Sequence, residues 1–226
     1  MDEEAQAIAA RLVRRLKEVG ATITVAESCT GGLLASTLTD IAGATEWFNQ
    51  SWVCYSYHAK ITELGVDAEI LEAKGAVNAT VAMQMAKGAR ERSNADLGIS
   101  ITGIAGPKQG TSNKPIGLVY VGISSEQWAN AESIQMGGTR SENKSSFVHF
   151  ALKTAIDCWD KAKIRKSDAM QKEADAAAEA YVKRARSEVE RSRRAAESAA
   201  GAPWQDESWQ DPGKAVGDDT NIEWEN

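Results

Sequence analysis

Short β-branched segments alternate with helical segments along most of the chain, and this alternation restricts the fold more than any other feature. The strand-like segments are residues 21–26, 51–57, 95–102, 116–124 and 132–136. Segments with the apolar spacing or composition of helices are residues 3–19, 31–43, 59–64, 68–74, 79–92 and 142–160. Strands that alternate with helices form layered α/β domains. We therefore expect a three-layer α/β/α sandwich with a mostly parallel sheet.

Two glycine-rich loops come directly after predicted strands. Residues 27–32 read "ESCTGG", and residues 103–110 read "GIAGPKQG". In open α/β sheets, ligands bind beyond the carboxyl ends of the strands, and glycine lets the backbone approach a ligand closely. We therefore expect both loops to line a binding site.

Cysteine, histidine and charge content exclude several classes of protein. The three cysteines (Cys29, Cys54 and Cys158) form no CxxC pair, and there are only two histidines, so neither a disulfide framework nor a metal site is expected. The net charge of −6 is carried by residues 201–226, which leaves a neutral body without a nucleic-acid footprint. The acidic N-terminus has no signal-peptide pattern, and no apolar run reaches the ~18 residues of a membrane span. We expect a cytoplasmic protein that contacts neither nucleic acid nor membrane.

Hydroxyl groups and one lysine are the remaining candidates for catalysis. A Ser–His–Asp triad is not expected, because His149 falls inside a predicted helix, and no phosphate-binding GxxxxGK[ST] motif occurs. Lys60 follows the aromatic strand, where apolar neighbours can lower the pKa of an amine so that it acts as a base for a hydroxyl nucleophile. The alternative is that Lys60 is a solvated surface charge.

The loop "ESCTGG" also allows two interpretations. Ser28 and Thr30 either line a site or only shape the turn before a helix. Cys29 is either a nucleophile at a helix N-terminus or a small buried residue.

The composition changes near residue 162. Residues 163–200 are rich in Ala, Glu, Lys and Arg and predict a long solvated helix, whereas the acidic residues 201–226 predict disorder. We therefore expect an α/β domain over residues 1–162 followed by a helical and disordered extension. The tail contains Trp204, Trp209 and Trp224, so residues 165–226 either bind a protein partner or only solubilise the chain.

Several segments together resemble one known family. The segments "VAESCTGGLLASTLTDIAGATEWF", "CYSYHAK", "LGVDAEILEAKGAV", "SITGIAGP" and "KPIGLVYVGI" have the order and spacing of the C-terminal domain of CinA competence/damage-inducible proteins. The resemblance covers residues 3–160. The family that it indicates includes the nicotinamide-nucleotide amidohydrolases. The resemblance implies an α/β/α fold, a homo-oligomer, and hydrolysis of nicotinamide mononucleotide to nicotinic acid mononucleotide and ammonia, without a metal or other cofactor.

The resemblance also implies the site residues. Lys60 matches the family's catalytic lysine, and Thr45 stands where the family has its catalytic serine. Ser28 and Tyr55 match residues that would stabilise the oxyanion. The residues that match or adjoin the family's substrate-binding positions are Thr102, Arg140, Gly31, Gly32 and Gly103. Of these, Arg140 and the three glycines would bind the 5′-phosphate.

Other positions besides Thr45 also depart from the family pattern. Tyr57 replaces an asparagine, Asn78 a serine, Lys108 an aspartate, and Thr139 an aspartate. These changes keep a second hypothesis open, in which the domain is catalytically weakened and acts as a nucleotide-binding or interaction module through its C-terminal extension.

Overall fold

A computed structural model of the chain describes residues 2–108 and 113–200. Its elements in chain order are α1 (Glu3–Lys17), β1 (Ile23–Glu27), α2 (Leu33–Thr39), a 3₁₀ turn (Ala44–Glu46), β2 (Phe48–Val53), α3 (Tyr57–Leu64), α4 (Ala68–Lys74), α5 (Ala79–Ser93), β3 (Leu97–Gly103), β4 (Leu118–Ser124), β5 (Ala129–Gln135) and α6 (Arg140–Ala199). No helix in these described residues is both long enough and apolar enough to span a bilayer.

The five strands form one mixed sheet in the order β2-β1-β3-β4-β5. Strands β2, β1 and β3 are parallel to one another, whereas β4 is antiparallel to both of its neighbours. Four strands therefore run in one direction and only β4 opposes them. The predicted α/β architecture is confirmed, with the refinement that half of the strand pairings are antiparallel.

Helices cover both faces of the sheet, which gives the three layers. On one face, α1, α2 and α6 contribute residues such as Leu12, Leu38 and Phe147 to a large apolar core. On the other face, α3, α4 and α5 form a smaller core that includes Leu64 and Met85. Helix α5 approaches the sheet closely because Gly98 of β3 and Gly122 of β4 have no side chains: a β-carbon there would lie 2.3 Å from the Ala86 carbonyl oxygen or 2.2 Å from that of Ala82.

The start of α3 corrects one predicted boundary. Residues 51–57 were expected to form a strand, but β2 covers Phe48–Val53 and α3 begins at Tyr57. The side chain of Ser56 accepts a hydrogen bond of 3.0 Å from the Ala59 amide and so caps the helix. This cap overrides the strand preference of the aromatic residues, and it places Lys60 on a helix.

The last helix begins earlier and ends later than the predicted 142–160. Thr139 and Glu142 form a capping box, in which the Glu142 carboxylate accepts from the Thr139 amide at 2.7 Å and the Thr139 hydroxyl accepts from the Glu142 amide at 3.4 Å. This reciprocal cap fixes the start of α6 at Arg140.

The described residues fall into two compact units, one ending at Arg165 and the other beginning at Lys166. In the second unit, Met170, Tyr181 and Val189 are exposed, as expected for a solvated helix. The predicted boundary at residue 162 stays a prediction. The tryptophans Trp204, Trp209 and Trp224 lie outside the described residues, and so does the predicted disorder of residues 201–226.

Candidate functional site

Most of the predicted site residues meet at one edge of the sheet. Because β1, β2 and β3 are parallel, their carboxyl ends lie together. Ser28 follows β1, Tyr55 follows β2, and Thr102 and Gly103 close β3. Lys60 on α3 and Arg140 on α6 both reach this edge, through hydrogen bonds with residues that follow β2 and β3.

Lys60 is fully buried, with 0% of its surface exposed. Its Nζ donates to the carbonyl oxygens of Cys54 at 2.6 Å and Tyr55 at 3.3 Å. Within the described ranges no carboxylate forms an ion pair with it. Burial without a counter-charge lowers the pKa of Lys60 below its ordinary value, because the charged ammonium loses its hydration.

Ser28 is the hydroxyl nearest to this amine among the contacts of Lys60. The Ser28 Oγ lies 3.4 Å from the Lys60 Nζ, and both side chains are buried. The turn is fixed on either side of Ser28, because its amide donates to the Ile101 carbonyl and its carbonyl accepts from the Gly31 amide, each at 3.1 Å. The structure therefore places the Ser28 hydroxyl beside the Lys60 amine, in a turn that backbone hydrogen bonds hold in place.

Arg140 and Tyr55 form the outer part of the site. The Arg140 guanidinium donates to the Tyr55 hydroxyl at 2.9 Å and to the Gly106 carbonyl at 2.7 Å. Tyr55 is 57% exposed, so its ring stands at the solvent side of the site. Because the phenolic oxygen accepts from Arg140, its own hydrogen stays free to donate to a ligand.

The amides of Gly31 and Gly32 are not available to a phosphate, contrary to expectation. The Gly31 amide donates to Ser28, while the buried Glu27 carboxylate accepts from the amides of Gly32 at 3.0 Å, Leu34 at 3.1 Å and Ala35 at 2.8 Å. A carboxylate of the protein itself thus occupies the N-terminus of α2. Sequence reasoning missed this role of Glu27, although a glutamate that ends a strand just before a glycine-started helix was a usable signal.

Thr45 lies at the opposite edge of the sheet from Lys60. It is an exposed residue in the 3₁₀ turn before β2, whereas Lys60 follows the other end of that strand. A strand of this length separates its ends by roughly 20 Å. The chain therefore does not assemble the expected Thr45–Lys60 pair within itself, because β2 lies between the two residues.

Thr102 and Gly103 have structural contacts at the end of β3. The Thr102 hydroxyl donates to the Ala76 carbonyl at 2.9 Å, which ties the strand end to the loop before α5. A β-carbon on Gly103 would lie 2.7 Å from the Leu118 carbonyl oxygen, so the position accepts no side chain without a shift of β4. Both residues lie at the edge of the candidate site, and these contacts fix the backbone there.

The structure describes Asn78, Thr139, Tyr57 and Lys108, which depart from the family pattern. Asn78 caps α5, because its Oδ1 accepts from the Val81 amide at 3.0 Å. Thr139 caps α6 in the capping box above. Tyr57 is 41% exposed and its hydroxyl lies 3.6 Å from the place that a β-carbon on Gly75 would occupy. Lys108 is exposed next to the undescribed residues 109–112. Two of the substitutions therefore serve helix capping.

Cys29 is unsuited to act as a thiolate. It is buried, and burial raises its pKa to about 12. The thiol therefore stays protonated at neutral pH, which favours the small-buried-residue interpretation. No group of three or more His, Cys, Asp or Glu side chains arranged to hold a metal ion occurs in the part of the chain that the structure describes.

Comparison with known proteins identifies the family. A family model described as "CinA C-terminal domain" matches residues 5–159. The chain belongs to this family. A CinA-like protein of Geotalea daltonii is 44% identical over 140 residues, which cover 62% of this chain and 34% of that protein. A CinA-like protein of Chlorobaculum tepidum is 48% identical over 147 residues, or 63% of this chain and 35% of that protein. The chain thus spans about a third of the length of these CinA-like relatives.

Solved structures of the CinA family share the fold. The competence/damage inducible protein CihA from Agrobacterium tumefaciens superposes with a TM-score of 0.66 at 36% identity and covers 68% of this chain and 94% of that one. A CinA superfamily protein from Escherichia coli gives a TM-score of 0.65 at 32% identity and covers 68% of this chain and 90% of that one. The α/β unit is therefore a CinA C-terminal domain in both sequence and structure.

Proposed function

We propose that this CinA domain is a nicotinamide-nucleotide amidohydrolase that converts nicotinamide mononucleotide to nicotinic acid mononucleotide and ammonia. The observation that carries the proposal is the buried contact between Lys60 and Ser28, whose Nζ and Oγ lie 3.4 Å apart. The substrate comes from the family resemblance, and the chemistry comes from this pair.

Lys60 acts as the general base in its neutral form. A neutral amine has two hydrogens and one lone pair. Nζ donates to the carbonyls of Cys54 and Tyr55 and, at 3.4 Å, to the Ser28 Oγ. In the neutral form, the two hydrogens keep the carbonyl bonds, and the third contact reverses so that Nζ accepts from the Ser28 hydroxyl. Burial favours this form because it lowers the pKa of Lys60.

Ser28 is the nucleophile within one chain. Its Oγ bonds to the carboxamide carbon while its proton moves to the Lys60 Nζ. The C–N bond then breaks, and the amide nitrogen leaves as ammonia with the proton that Nζ returns. Water hydrolyses the resulting ester with Lys60 again as base, which gives the carboxylic acid and frees Ser28.

Tyr55 stabilises the oxyanion of the tetrahedral intermediate. Its hydroxyl accepts from Arg140 and so has its own hydrogen to donate. The Arg140 charge also polarises that hydroxyl and strengthens its donation, as hydrogen bonds in a chain reinforce one another.

Thr45 remains the alternative nucleophile if a second copy of the chain supplies it. Among the strands of the described residues, β2 lies at the edge of the sheet, where β1 is its one neighbour. If two β2 edges paired in antiparallel fashion, the Thr45 end of one strand would lie beside the Lys60 end of the other. The homo-oligomer that the resemblance implies would then complete the site.

Ammonia release from nicotinamide mononucleotide tests the proposal. The purified protein is expected to release one ammonia per nucleotide consumed, with the acid nucleotide as the other product. A protein that binds the nucleotide without releasing ammonia would instead support the weakened, interaction-module hypothesis.

A further inference from the structure

The second compact unit carries a shallow apolar groove along one face of α6. Val182, Ala185 and Val189 form its floor, because their spacing of three and four residues puts them on one side of the helix. Tyr181 and Arg186 stand at its two sides. Both valines and Tyr181 are exposed, and none of them belongs to either apolar core of the sheet. The groove therefore has no cover among the residues that the structure describes.

The groove lies in a basic stretch of α6. Residues 183–194 contain six basic and two acidic side chains. Three of the basic ones pair with glutamates one turn away, namely Arg184 with Glu188, Arg193 with Glu197 and Arg194 with Glu190. Arg186, at the side of the groove, forms no hydrogen bond or ion pair with any residue in the ranges 2–108 and 113–200. This excess of positive charge repels a second copy of the same stretch and attracts an acidic segment.

Residues 201–226 have the composition that complements the groove. They contain seven acidic side chains and one basic one, together with three tryptophans. Two residues after each of Trp204 and Trp209 stands an aspartate, Asp206 and Asp211. An indole ring packs on aliphatic side chains and binds a guanidinium over its face. An aliphatic floor beside an unpaired arginine therefore suits a tryptophan that has a carboxylate close to it in sequence.

The chain after α6 is long enough to reach the groove of the same molecule. At 1.5 Å per residue, Val189 lies about 15 Å and Val182 about 26 Å back along the helix axis from Ala199. An extended chain that starts at Ala199 reaches about 17 Å at Trp204 and about 34 Å at Trp209. Such a short connection gives an effective concentration on the order of millimolar, which favours the chain's own tail over a second copy.

We propose that residues 204–211 dock into this groove of their own chain, with Trp204 against Val189 and Trp209 against Val182. Arg186 binds the indole of Trp209 over its face and balances the nearby carboxylates. The groove is thus a binding site for an acidic, tryptophan-containing segment, and the tail of the same chain is its occupant. This inference goes beyond the proposed hydrolysis, because all of its residues belong to the unit that begins at Lys166.

The test is ¹⁹F NMR of the full chain labelled with 5-fluorotryptophan, in which Trp204→Phe and Trp209→Phe assign the two signals. Both signals are expected to lie away from the shift of a solvated indole. Arg186→Glu is expected to move both of them toward that shift. Arg191→Glu makes the same charge change nine residues from Val182, on the opposite face of α6, and is the matched control that is expected to leave both signals in place.

Val182→Ser shortens the aliphatic floor without a change of charge, and it is expected to move the Trp209 signal in the same direction as Arg186→Glu does. Circular dichroism checks that α6 is kept in each variant. Wild-type signals at the shift of solvated indole would show that the inference is wrong, and so would equal effects of Arg186→Glu and Arg191→Glu. Shifts that disappear on dilution would assign the groove to a second copy and would also overturn it.

Discussion

Lys60 Nζ lies 3.4 Å from Ser28 Oγ, although 32 residues of sequence separate the two. The parallel pairing of β1 and β2 creates this contact, because it puts the residues that follow both strands at one edge of the sheet. The Cys54 amide also donates to the Glu27 carbonyl at 2.8 Å, which extends the register up to the site. The backbone pairing of β1 with β2 thus positions Lys60 and Ser28 relative to each other.

The rate of ammonia release is expected to depend on the ionisation of Lys60. Only the neutral amine accepts a proton, so kcat/KM should rise with pH and level off above the lowered pKa of Lys60. The midpoint is expected below the ordinary lysine value. A pH–rate profile measured with the mononucleotide checks this, and a rate that falls as pH rises through the same range would contradict it.

Protein stability is expected to follow the same ionisation. The pKa of Lys60 is lower in the folded chain than in the unfolded one, so between the two values the unfolded state binds more protons. The free energy of unfolding should therefore gain a favourable contribution as pH rises through that window. Urea unfolding of wild type and Lys60→Met over pH measures it, and parallel curves for the two proteins would show that Lys60 contributes nothing.

Alanine substitution at Ser28 and at Thr45 distinguishes a site formed within one chain from a site that a second copy completes. Ser28→Ala is expected to lower kcat at least a hundredfold, because it removes the nucleophile 3.4 Å from Nζ, whereas Thr45→Ala is expected to lower it far less. Ser36→Ala, on an exposed serine of α2, is the control for an ordinary hydroxyl loss. The reverse order of effects would assign the chemistry to Thr45 from a second copy.

Glu27 is expected to contribute to stability through the N-terminus of α2. Glu27→Gln removes the charge that three backbone amides contact, and we expect a loss of about 2 kcal/mol in the free energy of unfolding, typical of capping and charge-assisted bonds. Urea unfolding measures the loss. Glu72→Gln, on an exposed residue of α4, should change stability by less than about 0.5 kcal/mol. Equal effects of the two substitutions would count against a special role for Glu27.

Removal of residues 166–226 distinguishes the enzyme from the interaction module. All residues of the proposed site belong to the unit that ends at Arg165. The full chain and the chain ending at Arg165 are therefore expected to have the same kcat/KM for the mononucleotide. Loss of activity in the shorter chain, with its fold kept by circular dichroism, would show that the extension takes part in the reaction.

The sequence predicted the fold class and that the loops after β1 and β3 lie at the carboxyl edge of the sheet, because strand composition and glycine loops are local signals. It did not predict the mixed sheet, since a β3–β4 antiparallel connection leaves no distinct composition. Thr45 was assigned from the family pattern, and only the length of β2 shows that it lies at the other edge. The occupied glycine amides were missed as well, although Glu27 at the end of β1, shortly before the glycine-started helix, was a usable signal.

The most direct test of the central claim is ammonia release by wild type and by Lys60→Met. The substitution keeps the length and apolar stem of the buried side chain but removes the base, so kcat is expected to fall by about 10²–10⁴-fold while the thermal midpoint stays the same or rises. Lys87→Met, on an exposed lysine of α5, serves as the control and should keep full activity. A folded Lys60→Met protein that releases ammonia at the wild-type rate would contradict the account.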